Sequence, residues 1–463
     1  MRYQKLSMKI FRILLVVFLS SFILGQCPAA EDSHVVLITL DGFPARMFWD
    51  SKTPIPRLRQ LAAEGVVALG MHPSNPAMTW PNHTTLVTGV RAAKHSVLYN
   101  GLMLRNGAGM PVRVDPRRDK RDLVAVPTLY DVLHKAGLRT ASIDWPCTRN
   151  SGSLDDDFPD TPDNTEYMTP ELRRELVEEK ILKDETEATF KRQTAAGRDG
   201  VWTQAACYLI RTRKPHLLLF HLLNTDGTHH TYGAESYASY TAAALADFYV
   251  GQVIDALDAA DMRKNTTVFV VSDHGFASSD KRIQPNVLLR RAGLLTVNSN
   301  GRITKAQAQV VPEGGTGMIY LTNPETREAD RKKVIELLRG KEGVADIIEP
   351  QNFAALGLPS EKKNPGMADL ILVAADDYSV SGAASGDEWV MPVPEGAHPG
   401  HHGCLASNPK MDALFIVSGR NIKSGAKIGA VDNIDVAPTI AHLLGHDLTD
   451  VDGKVLSEIL SKP

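Results

Sequence analysis

The amino-acid sequence predicts an α/β fold with a doubly wound, mostly parallel sheet, helices on both faces and a small inserted α/β subdomain. Apolar runs rich in β-branched residues, 34–40, 216–223 and 266–272, alternate with helical patterns over 58–65 and 237–260. Such alternation is typical of parallel strands that are buried on both faces. With 463 residues, the chain is long enough for one large domain and an added subdomain.

The N-terminal residues differ in composition from the rest of the chain. Basic residues precede an apolar run over 13–24, and small residues that include Cys27 and Ala29 follow it. This pattern predicts a signal peptide over residues 1–29, cleaved after Ala29, and therefore export to the periplasm or the extracellular space. An uncleaved anchor is an alternative, although the run is short for a membrane span. Lipid attachment at Cys27 is another, which the large Gln26 before it disfavours.

The composition excludes several classes of protein and partner. Hydrophobic residues make up 43% and charged residues 23% of the chain, values typical of a folded globular protein without an integral membrane domain. The formal net charge is -3, so no large positive field attracts long nucleic acid. Three cysteines follow the predicted cleavage site and allow at most one disulfide. The sequence does not indicate an oligomeric state.

Two long stretches interrupt the alternation of strands and helices. The first, 150–200, is acidic and rich in proline, and the second extends over about 277–399; both are candidate lids. The second has its own strand pattern at 318–322 and helix pattern at 327–338. We therefore predict an inserted subdomain or cap over residues 277–395. The main domain comprises the remaining segments, 30–276 and 396–463.

Aspartate and histidine residues follow the apolar runs of the main domain. Carboxyl ends of parallel strands meet at one edge of a sheet, so these side chains are expected to lie close together. Carboxylate and imidazole are ligands that Zn²⁺ accepts, three or four per ion, and three aspartates with three histidines can fill two sites. The segments are Asp41, Asp226 with His230, Asp273-His274 and His401-His402.

Thr79 is the candidate nucleophile. It precedes a predicted Trp-Pro turn and a predicted helix over 82–88, which places its hydroxyl near backbone N–H groups that favour anions. A bound zinc ion would lower the pKa of that hydroxyl and allow attack at neutral pH. The alternative is that Thr79 only caps the helix.

Seven short motifs occur in one order: Leu-Asp41-Gly-Phe, Thr79-Trp-Pro-Asn-His83, Leu-Val-Thr-Gly89, His95-Ser-Val-Leu-Tyr-Asn100, Asp226 with His230, Ser-Asp273-His274-Gly and Gly-His-His402-Gly. Together they resemble the nucleotide pyrophosphatase/phosphodiesterase group of the alkaline phosphatase superfamily, over roughly 34–275 and 396–445. The resemblance implies an alkaline-phosphatase-like fold and a secreted zinc hydrolase that acts on a small-molecule phosphodiester or nucleotide through a phosphothreonine intermediate.

The resemblance also implies roles for individual residues. Asp226, His230 and His402 would hold one zinc ion, and Asp41, Asp273 and His274 the other. Thr79 would be the nucleophile, bridging toward the second zinc ion, and Asn100 would donate to a phosphoryl oxygen. Three neighbouring histidines compete for the ligand positions: His229, His398 and His401.

Trp80, beside the nucleophile, is suited to stack on a base or an aryl ring. Three cations lie near Thr79 in sequence, Arg91, Lys94 and Arg105, and we expect each of them on a solvated face. A site without a cation beside Thr79 predicts a preference for diesters over the more highly charged monoesters.

Other activities are compatible with the same motifs. A phosphonoacetate-type phosphonate hydrolase or a phosphomonoesterase could use the same metals and threonine. An inactive ligand-binding homologue is the non-enzymatic alternative, which the complete ligand set disfavours. Sulfatases of the superfamily need a Cys/Ser-x-Pro-x-Arg setting, which Cys147 lacks.

Overall fold

The computed structural model describes residues 33–160, 165–184, 187–393 and 400–461. The predicted signal peptide and His398 lie outside the described residues. The helices are α1 Ala45–Trp49, α2 Pro56–Glu64, α3 Thr79–Thr88, α4 Ala92–His95, α5 Lys120–Leu123, α6 Leu129–Lys135, α7 Pro170–Glu178, α8 Glu187–Arg192, α9 Ala195–Thr212, α10 Asn224–Tyr232, α11 Tyr237–Ala259, α12 Pro285–Arg291, α13 Arg327–Leu338 and α14 Val436–Leu443.

The strands are β1 His34–Leu40, β2 Val66–Ala68, β3 Met71–His72, β4 Leu102–Leu104, β5 Arg113–Asp115, β6 Thr140–Pro146, β7 Asp156–Asp160, β8 Leu217–Leu222, β9 Thr266–Val271, β10 Ala277–Ser278, β11 Lys281–Ile283, β12 Leu295–Val297, β13 Ile303–Ala306, β14 Ala308–Pro312, β15 Thr316–Leu321, β16 Val344–Ile348, β17 Leu370–Ala374, β18 Tyr378–Val380, β19 Val390–Pro392, β20 Gly400–His401, β21 Phe415–Gly419, β22 Ala426–Ile428 and β23 Val431–Asp432.

Eight strands form the central sheet, in the order β22-β2-β21-β9-β1-β8-β6-β7. Only β21 runs against its neighbours β9 and β2, and the other pairs are parallel. The predicted α/β fold with a mostly parallel sheet is therefore confirmed. The carboxyl ends of β1, β8 and β9 meet at one edge, which is where the predicted site residues follow their strands.

Apolar cores lie on both faces of this sheet. Along β1, Val36 and Ile38 pack into one core with helices α2, α9 and α11, whereas Val35 and Leu37 pack into another with α3, α6 and α14. Because side chains alternate between the two faces of a strand, the apolar run of β1 serves both cores. This arrangement fixes the strand ends that carry the site.

The segment after β9 forms a separate sheet and core. Strands β14, β15, β17 and β16 pair antiparallel in that order, and α12 and α13 pack against them. The predicted helix over 327–338 matches α13, and the predicted strand over 318–322 is β15, which begins at Thr316. Strands β10 and β20 pair antiparallel, so the chain leaves and rejoins the main domain at one place.

Part of the stretch 150–200, a candidate lid by its composition, belongs to the central sheet. Its strand β7 extends the central sheet by pairing parallel with β6. Phe158 of β7 is fully buried against Phe190 and Trp202. Because the stretch is acidic in composition, its sequence pattern does not indicate this short buried strand.

None of the helices in the described part of the chain has the length and apolar character that a membrane span requires.

Candidate metal centre

Six predicted ligands form two triads at the carboxyl edge of the central sheet. Asp41 follows β1 and Asp273-His274 follow β9, and these three residues form the first triad. Asp226 and His230 lie one turn apart on α10 and join His402, which follows β20, in the second triad. Within each triad, one ligand atom per residue lies within 4.8 Å of the others. The rings of His274 and His402 stack with centroids 4.0 Å apart, so the triads adjoin.

The two triads differ in their access to solvent. In the first triad, each side chain is at most 1% exposed. In the second, His230 is 35% and Asp226 14% exposed, whereas His402 is 7% exposed. The site therefore opens to solvent on the side of His230.

Each carboxylate of the triads has one oxygen that lacks a hydrogen-bond partner. Oδ1 of Asp41, Oδ2 of Asp273 and Oδ1 of Asp226 are all buried and unpartnered within the described structure. Burial raises the pKa of Asp41 well above its usual range, and the neighbouring Asp273 and Asp226 carboxylates raise it further. Buried carboxylates that face one another without a cation are strongly unfavourable. The donor set therefore fits bound metal ions.

The three histidines present a nitrogen lone pair to the triads. In each ring, Nδ1 lies within hydrogen-bond distance of a backbone oxygen: Gly275 for His274 at 2.9 Å, Gly400 for His230 at 3.2 Å and Ala77 for His402 at 3.1 Å. Because a carbonyl only accepts, each Nδ1 carries a proton and donates it, which leaves Nε2 as a ligand atom. Burial also lowers the pKa of His402 well below its usual range, which favours the neutral ring.

The competing histidines take other positions. His229 donates from Nδ1 to the backbone oxygen of Gly42 at 3.0 Å and packs edge-on against Phe276. Burial lowers the pKa of His229 to about 3. His401 lies on β20, with its Nε2 3.8 Å from Sγ of Cys404. Neither residue belongs to a triad.

Thr79 lies beside the first triad. Its Oγ1 is 3.5 Å from Nε2 of His274. Helix α3 begins at Thr79, three residues earlier than the sequence predicted, and Met78 is its N-cap without a side-chain bond. The predicted Trp-Pro turn is instead the first helical turn, where Pro81 forfeits no intrahelical hydrogen bond. Thr79 therefore does not cap the helix.

Two polar side chains hold the start of α3. Asn82 donates from Nδ2 to the backbone oxygens of Pro76 and Met78, both at 2.9 Å, and accepts from the backbone N–H of Ser74 at 2.8 Å. His83 contacts the backbone oxygen of Thr79 through Nδ1 at 2.9 Å. These bonds fix the backbone that carries the Thr79 hydroxyl.

Asn100 and Trp80 lie next to Thr79, but they differ in how far their side chains are available to a substrate. Oδ1 of Asn100 accepts from the backbone N–H of Trp80 at 3.0 Å, and this bond leaves the amide N–H groups of Asn100 as donors. The Trp80 ring is 6% exposed, packs against Val97 and Leu123, and donates from Nε1 to Asp160 at 3.1 Å. Because Trp80 is almost completely buried, the structure does not support its predicted stacking on a base.

His221 is a site residue that the sequence reasoning missed. Its Nε2 lies 3.1 Å from Oδ2 of Asp41, and its Nδ1 lies 2.9 Å from the backbone oxygen of Asp144. The signal was present in the sequence, since His221 is the only polar residue of the otherwise apolar strand β8. A histidine buried in such a strand needs polar partners on both nitrogens.

The cations near Thr79 in sequence have partners elsewhere. Lys94 pairs with Asp450 and Asp452, both at 2.9 Å. Arg105 is not on a solvated face, contrary to our expectation, because it pairs with buried Asp369 at 3.0 Å and lies over the Tyr320 ring. Among the described residues, neither these cations nor Arg91 forms a hydrogen bond with Thr79. The three cysteines, Cys147, Cys207 and Cys404, are free.

Known proteins resemble this chain in sequence. Residues 35–405 match the family model described as type I phosphodiesterase / nucleotide pyrophosphatase. Ectonucleotide pyrophosphatase/phosphodiesterase family member 1 of Rattus norvegicus is 25% identical over 439 residues, which cover 91% of this chain and 42% of that relative. Family member 7 of Mus musculus is 23% identical over 425 residues, 90% of this chain and 84% of that relative.

A solved structure shows the same fold. Murine ectonucleotide pyrophosphatase / phosphodiesterase 5 superimposes with a TM-score of 0.69 at 17% identity, covering 93% of this chain and all of that one. The family model spans most of this chain, and the resemblance inferred from the seven motifs is thereby confirmed. The chain belongs to the type I phosphodiesterase/nucleotide pyrophosphatase family of the alkaline phosphatase superfamily, and these curated relatives are named ectonucleotide pyrophosphatase/phosphodiesterases.

Proposed function

We propose that this protein is a secreted phosphodiesterase of the nucleotide pyrophosphatase type, which holds two zinc ions and forms a phosphothreonine intermediate on Thr79. One observation carries the proposal: the Thr79 hydroxyl lies 3.5 Å from His274, beside two adjoining triads whose carboxylates each have one oxygen without a partner. Membership of the family supports the hydrolase class.

The chemistry of the donor atoms favours zinc. Each triad offers carboxylate oxygen and neutral imidazole nitrogen, a mixture that suits Zn²⁺, and three protein ligands leave a position for a reacting group. Asp41, Asp273 and His274 would hold one ion, and Asp226, His230 and His402 the other. When bound, the ions would lower the pKa of a nearby hydroxyl and stabilise charge on the attacking and leaving oxygens.

Thr79 would carry out the first half of the reaction. Its Oγ1 forms a bond to phosphorus, the bond from phosphorus to the leaving oxygen breaks with its electron pair, and the threonine proton passes through solvent to that oxygen. A water molecule then forms a bond to phosphorus and the bond to Oγ1 breaks. One proton of that water returns to Thr79. The sum is hydrolysis of one ester bond with retention at phosphorus.

Asn100 and the start of α3 would orient the phosphoryl group. Asn100 keeps its amide N–H groups as donors because only its oxygen is used by Trp80. The transition state of phosphoryl transfer spreads negative charge over the nonbridging oxygens. Thr79 is the first residue of a helix of 10 residues, whose positive end faces the same position.

Export from the cell is part of the proposal. It rests on the signal-peptide pattern of residues 1–29 and the cleavage position after Ala29. Several curated relatives are named ectonucleotide enzymes.

The test uses the chain from Ala30 onward, loaded with zinc. We expect about two zinc ions per chain by elemental analysis and turnover of bis-p-nitrophenyl phosphate. Removal of the metal by a chelator should abolish turnover, and added Zn²⁺ should restore it. An active preparation that contains no transition metal would overturn the proposal. Faster turnover of phosphonoacetate than of any diester would assign the phosphonate hydrolase activity instead.

A further inference from the structure

A turn of the inserted segment, residues 313–315 between β14 and β15, lies against the loop that carries His402. The peptide group between His402 and Gly403 is held from two sides. Its oxygen accepts from the backbone N–H of Gly315 at 2.9 Å, and its N–H donates to the backbone oxygen of Ala77 at 3.0 Å. Ala77 lies shortly before the candidate nucleophile in the chain. Backbone bonds therefore connect the inserted segment to a ligand of the second triad.

Glycines allow this close contact between the turn and the loop. Gly314 has a φ of +118°, and a Cβ there would lie 2.2 Å from the backbone oxygen of His402. Gly403 has a φ of +67°, and a Cβ there would lie 2.1 Å from the backbone oxygen of Glu313. Atoms at these distances would overlap, and both φ values lie in the region that favours glycine. The two backbones therefore pack directly on each other.

The side chains of Glu313 and Thr316 form a second connection to the same loop. Oγ1 of Thr316 lies 2.6 Å from Oε2 of Glu313 and 2.7 Å from the backbone oxygen of Gly403. A threonine hydroxyl has one proton to donate, and a backbone oxygen can only accept. If Thr316 donates to Gly403, the short contact with Glu313 needs a proton on the carboxyl group. Both contacts are therefore hydrogen bonds only when Glu313 is a carboxylic acid that donates to Thr316.

The surroundings of Glu313 favour the carboxylic acid over the carboxylate. The residue is 7% exposed, and its Oε1 has no hydrogen-bond partner within the described structure. A buried carboxylate with an unpartnered oxygen is strongly unfavourable. Burial raises the pKa of Glu313 to about 7, although the bond with Thr316 lowers it.

We propose that Glu313 is a positioning residue of the metal centre: as a carboxylic acid it donates to Thr316, which in turn holds the loop that carries His402. The proposal rests on the proposed function, since the position of this loop matters to the reaction only if His402 binds a metal ion. It assigns part of the inserted segment to the metal centre. Residues 313–316 should therefore stay constant where the rest of the segment varies.

The test measures zinc affinity by competition with a chelator, resolved into the two sites. The variant His230→Ala identifies the step that belongs to the second triad, because it removes one of its ligands. Glu313→Met removes the donor but keeps a side chain of similar length, and we expect it to weaken zinc binding at the second triad by about tenfold. Glu313→Gln keeps an N–H donor at the same place and should retain the affinity of the wild type.

Thr316→Val should weaken zinc binding at the second triad as much as Glu313→Met does, because both variants break the same chain of hydrogen bonds. The double variant should lose no more than either single variant, as expected for two residues that act through one connection. An unchanged affinity in Thr316→Val, or a loss in Glu313→Gln as large as in Glu313→Met, would overturn the proposal. If Glu313→Met does not fold, Thr316→Val and Glu313→Gln still decide the question.

The matched control is Thr326→Val in the same inserted segment. Oγ1 of Thr326 donates to Oδ2 of Asp330 at 2.5 Å, and Asp330 is buried, so this pair also joins a threonine to a buried carboxyl group. It lies at the start of α13 and not in the turn. Thr326→Val should leave both zinc affinities unchanged. A loss equal to that of Thr316→Val would show that the effect is one of general stability.

Infrared difference spectroscopy tests the acid form of Glu313 without reference to the metal. At about pH 6, the spectrum of the wild type minus that of Glu313→Gln should contain the C=O band of one protonated carboxyl group, with and without zinc. Carboxylate bands in its place would contradict the proposal. If the wild type binds no zinc, the proposed function is wrong and the positioning role with it. If it binds two ions and Glu313→Met binds them equally well, only the role of Glu313 is wrong.

Discussion

Nε2 of His221 lies 3.1 Å from Oδ2 of Asp41, while Oδ1 of Asp41 is unpartnered and faces the first triad. The backbone oxygen of Asp144 holds the other nitrogen of the ring, so the ring is fixed from both sides. One oxygen of the Asp41 carboxylate therefore contacts the protein, and the other is available to bind a metal ion.

This relationship predicts that His221→Ala weakens metal binding at the first triad by about tenfold to a hundredfold, because a partner that orients a ligand contributes that much. A competition titration of the purified variant against a zinc chelator measures the affinity directly. His216→Ala, which changes the residue just before the same strand, is the control. Unchanged zinc affinity in His221→Ala would contradict the positioning role.

Thr79→Ala should fold and bind zinc but lose at least about a thousandfold in kcat, as expected when a covalent nucleophile is removed. Thr79→Ser should retain partial activity because it keeps a hydroxyl at the same place. Mass spectrometry of a quenched reaction with a diester should detect on Thr79 of the wild type a phosphoryl group that still carries the second ester substituent of the substrate. Turnover by Thr79→Ala close to that of the wild type would mean that water attacks phosphorus directly.

The adjacent histidines of α10 should respond differently to substitution. His230→Ala removes a ligand of the second triad, so we expect one zinc ion fewer per chain. His229→Ala should keep both ions yet lower the free energy of unfolding, because it removes the buried bond to Gly42. Elemental analysis and urea unfolding of the two variants measure these effects. Loss of metal from His229→Ala alone would reverse the assignment.

The absence of a cation contact at Thr79 in the described residues predicts a preference for diesters. A dianionic monoester needs more positive charge around its nonbridging oxygens than a diester does. We expect kcat/KM for bis-p-nitrophenyl phosphate to exceed that for p-nitrophenyl phosphate by about tenfold or more. A preference of similar size for the monoester would mean that a cationic side chain reaches the phosphoryl group.

His95 predicts an acid-dependent loss of stability. It is fully buried in α4, and burial lowers its pKa to about 3. Below about pH 6.5 the unfolded chain protonates this residue and the folded chain does not until about pH 3, so the free energy of unfolding falls as the pH falls through this range. One such group contributes about 1.4 kcal/mol per pH unit.

The measurement is urea unfolding of the wild type and of His95→Gln, with the same excess of chelator in both. Between about pH 6 and pH 5, the dependence on pH should be shallower in the variant by about 1 kcal/mol per unit. Above about pH 7.5 the two dependences should coincide, because His95 is then neutral in both states. Equal dependence throughout would show that His95 is not held neutral.

The sequence could predict the strands that are followed by aspartate, because long apolar runs identify buried parallel strands and their ends meet at one edge. The same argument predicts that Asp41, Asp226 and Asp273 lie close together. It could not predict the start of α3, because Pro81 resembles a turn residue although it fits the first helical turn.

The environment of single side chains was harder to predict. The sequence predicts that Trp80 stacks on a substrate. In the structure, its ring packs in a hydrophobic cluster and donates a hydrogen bond to Asp160, and these partners are distant from Trp80 in sequence. Strand β7 was missed because its buried Phe158 is surrounded by acidic residues. In each case, partners from remote segments decide the outcome.

The paired strands β10 and β20 have an evolutionary consequence. All six residues of the triads, together with Thr79 and Asn100, lie outside the segment that runs between these two strands. That segment can therefore diverge in sequence and length while the hydrolytic machinery is inherited unchanged. Exchanging it between family members offers a route to transplant substrate range from one enzyme to another.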